Sequence, residues 1–514
     1  MHYNNRASIL RREILARLSA LILTDRLVED IESVPYQMTL PGWETVRCCV
    51  HHDRAILRLR LAARLGFDVA SLDDIEKPLA DYARQALSRS SPPRSGLFLL
   101  EEACNKCVAS PYLVSDVCQG CLARPCASNC PKKAISFVDG KARIDAPLCV
   151  GCGICAQACP YKAIIKVPVP CEEACPVGAI HRDADGKHRI DKEACVECGK
   201  CVKECPFGAV MEPSHLVEVI RAVKSARPVV ALLAPATIAQ FPGSPGCLAA
   251  AVASLGFSSV VEVAIGAEAT TKAEAHELIE HMEQGLGPLA TSCCPAWTKT
   301  AKTILPPSPT GAAPAAVPTA AVPTTTVSST PSPMVFTARA LKAAMAEATT
   351  AEARAAVAEP ILVFISPCLA KRREAEETGA VGLTLSAEEL GAWFVAAATE
   401  IATLAERPFD APDGKPAQRP AEKHARAFGS SGGVAAAVSA SMAALGKAAP
   451  SCLSINGVDK NTIKDIRRWE TVVPEADLIE VMFCQGGCVN GPCSLANPRA
   501  AVLSLGRYAE AGSA

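Results

Sequence analysis

GPLATSCCPAW, residues 287–297, runs from a short apolar stretch into two neighbouring cysteines, Cys293 and Cys294, and then a proline. A vicinal pair is awkward for a mutual disulfide, because adjacent Cα atoms sit about 3.8 Å apart while unstrained bridges prefer roughly 4.4–6.8 Å. The two sulfurs are therefore expected to do different work. Two further apolar runs end in the same way: ILVFISP at 361–367 stops at Cys368, and LIEVMF at 478–483 stops at Cys484, with Cys488 closing CQGGC. With VVALLAPA, VVEVAIG and the helical stretches between them, these runs read as strands of an α/β domain beginning near residue 226. Ligands of open α/β sheets collect beyond the carboxyl ends of the strands, so thiols from three strand ends can converge on one buried object. Four soft thiolates suit a cubane iron–sulfur cluster. Gly486 and Gly487 would let the backbone approach it without a steric penalty.

Working upstream, residues 104–210 carry sixteen cysteines in an internally repeated register. PCASNCPKKAI followed by CVGCGICAQACPYKAI is echoed by PCEEACPVGAI followed by CVECGKCVKECPFGAV. Cys149, Cys152, Cys155 and Cys159, and again Cys195, Cys198, Cys201 and Cys205, fit C-x2-C-x2-C-x3-C-P, the bacterial ferredoxin spacing. In that spacing three thiolates hold one cubane and the fourth reaches across to a second. Structural zinc sites do not favour the closing CP. The crossed rule groups Cys118, Cys121 and Cys126 with Cys159, Cys149, Cys152 and Cys155 with Cys130, and Cys195, Cys198 and Cys201 with Cys175. By elimination Cys104 and Cys107 join Cys171 and Cys205, which gives four thiolates for each of four [4Fe-4S] clusters. A row of one-electron centres reads as a conduit.

The rest of the composition bounds the answer. The chain has 514 residues, 49% of them hydrophobic, which is enough for about three domains with real cores. Its 26 cysteines fall largely into metal-ligand spacings and so imply a reducing, cytoplasmic setting rather than a disulfide scaffold. No secretory h-region is legible in the first 27 residues, and the most apolar stretches are too short or too interrupted to span a membrane. A net charge of −1 gives no reason to expect nucleic acid, and the basic run KRR at 371–373 reads as a solvated helix end. Residues 1–95 show helical apolar spacing, as in AILRLRLAARLGF, and read as a small helical domain; Cys48 and Cys49 fit buried thiols better than metal ligands and are left unassigned. Cys247, Cys452 and Cys493 likewise read as buried, inert cysteines. The Pro, Ala, Thr and Ser-rich segment 306–330 reads as a low-complexity insertion that is largely mobile, with residues 306–326 dispensable.

TSCCPAW, SPCLAKRREAE, EVMFCQGGCVNGP and the glycine-rich FGSSGGV at 428–434 resemble the signature segments of the [FeFe]-hydrogenase family. The resemblance covers about residues 226–500, and the ferredoxin section fits the family's electron relay. It implies a multidomain α+β and α/β chain. A helical region at 1–95 would be followed by tandem ferredoxin-like [4Fe-4S] modules at 96–215 and by an α/β H-cluster domain of the iron-only hydrogenase type at 226–505.

The H-cluster is a [4Fe-4S] cube joined through a cysteine to a two-iron unit carrying CO, cyanide and a bridging dithiolate. Position by position, Cys294, Cys368, Cys484 and Cys488 resemble the cube ligands, with Cys488 as the bridge. Lys371 resembles the cyanide-binding lysine, and Met482 the methionine beside the cluster. Cys293 resembles the free thiol that hands on protons, backed by Glu274 and Glu277 one helical turn apart and by Ser328. The implied reaction is reversible hydrogen oxidation and proton reduction, with a ferredoxin or similar one-electron carrier and hydrogenase maturation proteins as partners. Ser366, Ala296 and the extra Cys493 depart from the best-known members and resemble the divergent group B branch. A hydrogen sensor and an iron–sulfur assembly factor are the alternatives from another class.

Overall fold

The five strands expected from the apolar runs are present and divide between two sheets. In the computed structural model, which describes residues 5–69, 76–104, 107, 111–183, 186–305, 325–348 and 359–512, the first sheet has the order Ser259–Glu262, Val229–Leu233, Ile361–Ile365, Leu383–Leu385. The second has the order Thr326–Val327, Leu289–Ala290, Leu478–Met482, Cys452–Asn456. Every pairing in both is parallel. Parallel neighbours need long crossovers, and helices supply them. Strands covered on both faces read as unbroken apolar runs, which is why VVALL and LIEVM, buried at all five positions, stood out in the sequence. The helix Ala264–Gln284, 21 residues long, links Ser259–Glu262 of the first sheet to Leu289–Ala290 of the second and is closed by Gly285 in the left-handed region at φ +66°.

Most of the low-complexity insertion, 306–324, lies outside the described residues. Its expected end at 330 is corrected: Thr326–Val327 is an edge strand of the second sheet, and Thr325, Thr326, Ser328 and Thr330 are buried. The ladder bond from the Ser328 amide to the Ala290 carbonyl, 2.7 Å, ties this short polar segment to the sheet.

The ferredoxin-like region is built from small two-stranded sheets and one-turn helices. Gly153 and Gly199, at φ +77° and +70°, turn the chain into the matching helices Ile154–Ala158 and Lys200–Glu204.

The N-terminal helices Arg6–Leu23, Val50–Arg64 and Leu79–Ser88 do not form a separate domain. Ile14, Leu15 and Leu18 share one core with Leu216, Val219 and Trp393. Arg11 and Arg12 meet the buried Glu388 at 2.7 and 3.3 Å, and Arg64 meets Glu212 at 2.6 Å. Helical periodicity announced an apolar face but not what would cover it. Cys48 and Cys49 are exposed in the turn ahead of Val50–Arg64, contrary to the buried reading. Among the described residues no helix is long and apolar enough to cross a membrane.

Candidate functional site

The thiols at the three strand ends come together between the two sheets. Cys294 caps the helix Pro295–Ile304, whose proline occupies the first turn, where no amide hydrogen is needed. The Cys484 thiol feels the charges of Cys368, Cys488 and Cys294. Cys488 feels Cys368 and Cys294 in turn. Burial first, and then the neighbouring sulfur of Cys294, pushes Cys368 up to about 11, and burial carries Cys484 and Cys488 higher. Burial of Cys368, Cys484 and Cys488 thus disfavours their thiolates unless cations balance the charge, which fits metal ligands.

Gly487, at φ +99°, lies so close to the FGSSGGV segment that a Cβ would sit 2.5 Å from the Gly429 carbonyl oxygen. That contact joins CQGGC to the glycine-rich segment. A residue that sequence reasoning missed holds the same junction: Glu480, fully buried on Leu478–Met482, accepts the amides of Gly432 at 2.8 Å and Ala435 at 3.0 Å. The lone acid inside LIEVMF was the available signal.

Cys293 differs from its neighbour. It packs beside Cys488 on the small core that contains Met482, Phe428 and Leu478, while Cys294 belongs to the core around Trp297. Burial, followed by the charge of Glu274, raises the Cys293 thiol well above its ordinary value. Glu274 is itself fully buried. Its Oε1 accepts the Ser292 amide at 3.2 Å, and its Oε2 has no hydrogen-bond partner. Desolvation pushes this carboxyl up to about 7. One turn along, Glu277 accepts the Ser328 hydroxyl at 2.6 Å, the Thr330 hydroxyl at 2.9 Å and the Ser329 amide at 2.8 Å. Burial works against its ionisation, but these bonds outweigh it and hold the carboxyl below its ordinary value. Ser328 also bears on Glu274, and Ser329 is exposed. Thus Cys293 lies within the field of Glu274, Ser328 bears on Glu274, and Ser328 bonds Glu277.

Lys371, largely buried, donates to Glu374 at 2.6 Å and lies within the fields of Cys368 and Cys293. The next two residues overturn the solvated reading of KRR. Arg372 is buried against Glu389 and the Pro213 carbonyl, and Arg373 donates to the Pro295 carbonyl at 3.0 Å. Their partners are distant in sequence, so a local charge pattern could not reveal them. Met482 closes its strand in full burial. Cys247 and Cys493 are buried as expected, whereas Cys452 is exposed at the start of its strand.

Cys118, Cys121, Cys126 and Cys159 line one small cavity, and Cys130, Cys149, Cys152 and Cys155 line another. Cys201 feels Cys198, Cys195 and Cys175, and Cys171 feels Cys205, Cys107 and Cys104. Among the described residues no three Cys, His, Asp or Glu side chains gather around a single-ion position. In each of the four CP turns the alanine four residues after the cysteine donates its amide to that sulfur. These bonds are Ala134 to Cys130 at 3.3 Å, Ala163 to Cys159 at 3.4 Å, Ala179 to Cys175 at 3.2 Å and Ala209 to Cys205 at 3.4 Å. Amide bonds of this kind stabilise negative charge on sulfur.

The inner group reaches the main site, since Cys198 bears on Cys484. Gly199 makes this approach possible: a Cβ there would lie 2.5 Å from Pro492 Cβ and 3.0 Å from Leu369 Cδ1. Gly178 has nearly the same φ, +71°, but open space around it. Gly199→Ala is therefore expected to destabilise the protein by about 1–3 kcal/mol more than Gly178→Ala, measured as the difference in thermal or denaturant midpoint between the two variants.

Comparison with known proteins agrees with this geometry. The family described as iron only hydrogenase large subunit, C-terminal domain, matches residues 227–492. A 4Fe-4S dicluster domain matches 170–209 and a 4Fe-4S binding domain matches 142–165. An uncharacterized ferredoxin of Methanocaldococcus jannaschii is 47% identical over 49 residues, covering 10% of this chain and 30% of that protein. Formate hydrogenlyase subunit 2 of Escherichia coli is 46% identical over 48 residues, covering 9% and 24%. The chain thus spans less than a third of the length of these relatives. Two solved variants of [FeFe]-hydrogenase HydA1 from Chlamydomonas reinhardtii overlay with TM-scores of 0.44 and 0.43 at 21% and 18% identity, each covering 59% of this chain and 90% of the other.

Proposed function

The chain belongs to the iron-only hydrogenase large-subunit family, and on that premise we propose that it catalyses reversible hydrogen oxidation and proton reduction at an H-cluster. Electrons would reach the site through four accessory [4Fe-4S] clusters held by the sixteen ferredoxin-type cysteines. The observation that carries this reading is the meeting, at Cys293, of the thiol-lined site with the series Glu274, Ser328 and Glu277.

The donor set fits the group. Cys294, Cys368, Cys484 and Cys488 would hold the cube, with Cys488 shared with the two-iron unit, and Lys371 would donate toward its cyanide. When bound, the H-cluster supplies the redox-active iron at which protons and electrons combine. The chain's residues supply the proton path. Cys293 Sγ keeps its proton at neutral pH because burial disfavours the thiolate, and so can present it as an acid and recover it as a base. The unpartnered Oε2 of Glu274, on a carboxyl that is half protonated near neutrality, can exchange that proton. Ser328 can pass it through its hydroxyl to Glu277, where Ser329 opens to solvent. Met482 and Phe428 belong to the buried core against which Cys293 packs. Partner proteins would be a one-electron carrier and the maturation machinery, in a reducing cytoplasm, and Ser366, Ala296 and Cys493 would place the chain in the divergent branch.

Anaerobic maturation followed by infrared spectroscopy, iron analysis and a hydrogen assay tests the proposal. The expected result is CO and cyanide bands, about 22 iron atoms per chain if every thiol group holds its cluster, and hydrogen turnover. Cubane iron without those bands or turnover would overturn it.

A further inference from the structure

The four CP turns share one backbone conformation and differ in what lies over it. The third residue after each cysteine, Lys133, Lys162, Gly178 and Gly208, is in the left-handed region, at φ +50°, +52°, +71° and +55°. Both turns of the outer repeat carry an exposed lysine at this position. Both turns of the inner repeat carry glycine. A Cβ on Gly178 would meet open space, whereas one on Gly208 would lie 3.3 Å from Nη1 of Arg60 and 3.4 Å from Cβ of Ala7. The cation that the outer turns supply themselves thus reaches the Cys205 turn from another element, the helix Val50–Arg64.

Arg60 is 6% exposed, and its Nη2 donates to the Phe207 carbonyl, two residues past Cys205, at 2.7 Å. Beside it, Arg47 stacks on the Phe207 ring, 5.6 Å from its centroid, and donates to the Ala103 carbonyl, next to Cys104. Two arginines of the N-terminal region therefore bond beside two cysteines of the set Cys104, Cys107, Cys171 and Cys205. The Arg60 Nε has no hydrogen-bond partner. The charged groups that bear on Arg60 are Cys205, Arg47, Arg64 and Asp53. Both arginines repel it, and the Asp53 carboxylate is engaged by the Trp43 indole and the Val46 amide. Burial lowers the Arg60 guanidinium to about 10, which leaves it cationic at neutral pH.

We propose that Arg60 tunes the electron relay: its buried charge raises the reduction potential of the cluster that Cys104, Cys107, Cys171 and Cys205 would hold. The proposal rests on the relay reading of the accessory cysteines. Reduction adds one electron, drawn from the one-electron carrier, and no proton or bond moves. The cluster thereby gains a negative charge, which a neighbouring cation stabilises. Buried charges are screened much less than exposed ones, so Arg60 acts more strongly than Lys133 or Lys162 can. Cys171 bears in turn on Cys201 of the next set. A cluster made easier to reduce at this point holds an electron beside the inner group, and the N-terminal helices acquire a part in the relay.

The test is a potentiometric titration of the full, matured chain with dithionite and mediator dyes, followed by electron paramagnetic resonance of the reduced clusters. Arg60→Met is expected to move one accessory midpoint to lower potential by at least a tenfold change in the reduced-to-oxidised ratio, about 59 mV for one electron. Iron content and the other midpoints should stay at the parent values. Arg60→Lys keeps the charge and should keep the parent midpoint, although it loses the guanidinium's geometry. Arg60→Gln removes the charge while retaining a donor, and carries the same expectation as Arg60→Met should the latter lose iron. A merely structural Arg60 would lower the thermal midpoint of these variants and leave every potential in place, which would overturn the proposal. So would a lysine variant that shifts as far as the neutral ones, or a shift shared by all the accessory midpoints. A parent that shows no accessory cluster signals on reduction would overturn the relay reading, and the tuning proposal with it.

Discussion

Cys293→Ala is expected to lower hydrogen turnover by roughly 10²–10⁴ while leaving the CO and cyanide bands in place. The neighbouring Cys294→Ala should abolish the bands altogether. The contrast follows from where each sulfur sits. Cys294 faces the thiols of Cys368, Cys484 and Cys488, so removing it takes one of four donors from a buried cluster and leaves iron with an open position. Cys293 instead lies beside Glu274 and Cys488 in the pocket floored by Met482. On the proposed reading it would contribute a transferable proton rather than a bond to the cube. Cys293→Asp restores an acid–base group of similar reach and should recover part of the lost rate, which alanine cannot. Both variants need maturation in parallel, with bands and hydrogen evolution read on the same samples. Near-parent turnover in Cys293→Ala would mean that protons reach the site by another route and that the vicinal pair has no division of labour.

Much of this arrangement was legible in the sequence because it is written in short-range patterns. Cysteine spacing suggests the four accessory groups, since crossed ligation by a C-x2-C-x2-C-x3-C-P run leaves few alternatives. In the set obtained by elimination, Cys171 lies within the fields of Cys205, Cys107 and Cys104. Buried parallel strands announce themselves as apolar runs, so the three strand-end thiols were visible too. What escaped depends on partners far away in the chain. Arg372 and Arg373 looked like surface charge because Glu389, Pro213 and Pro295 cannot be inferred from the residues beside them. The N-terminal helices looked independent because their apolar faces gave no hint that Trp393 and Leu216 would cover them. Ser328 sits in a segment whose composition argues for disorder. It is ordered by one ladder bond to Ala290 and by its bond to Glu277, neither of which composition records. Glu480 shows the same limit, for a single acid in an apolar strand signals a buried partner without naming it.

Glu274→Gln is expected to move activity and stability in opposite directions. The amide keeps the size of the carboxyl and can still accept the Ser292 amide, but it cannot take up or release a proton, so hydrogen turnover should fall by roughly 10²–10³. Stability should change because the carboxyl is buried without a counter-ion and is pushed up to about 7 in the folded protein, against an ordinary value near 4.5. Below about pH 4.5 the group is protonated both folded and unfolded, and it contributes no pH dependence. As pH rises from there toward 7, the unfolded chain releases the proton while the folded chain retains it. The folded state therefore binds more protons, and its stability declines. Above 7 the carboxylate has formed in the interior, and the full cost of burying it, on the order of 3 kcal/mol, is present. Glutamine carries no such cost. The variant should match the parent near pH 5 and exceed it increasingly up to about pH 8, as measured by thermal midpoints of matured protein across that range. A gap that does not widen with pH would mean that Glu274 meets a cation or water that relieves its burial. A variant that keeps the parent's turnover would remove Glu274 from the proton path whatever its effect on stability.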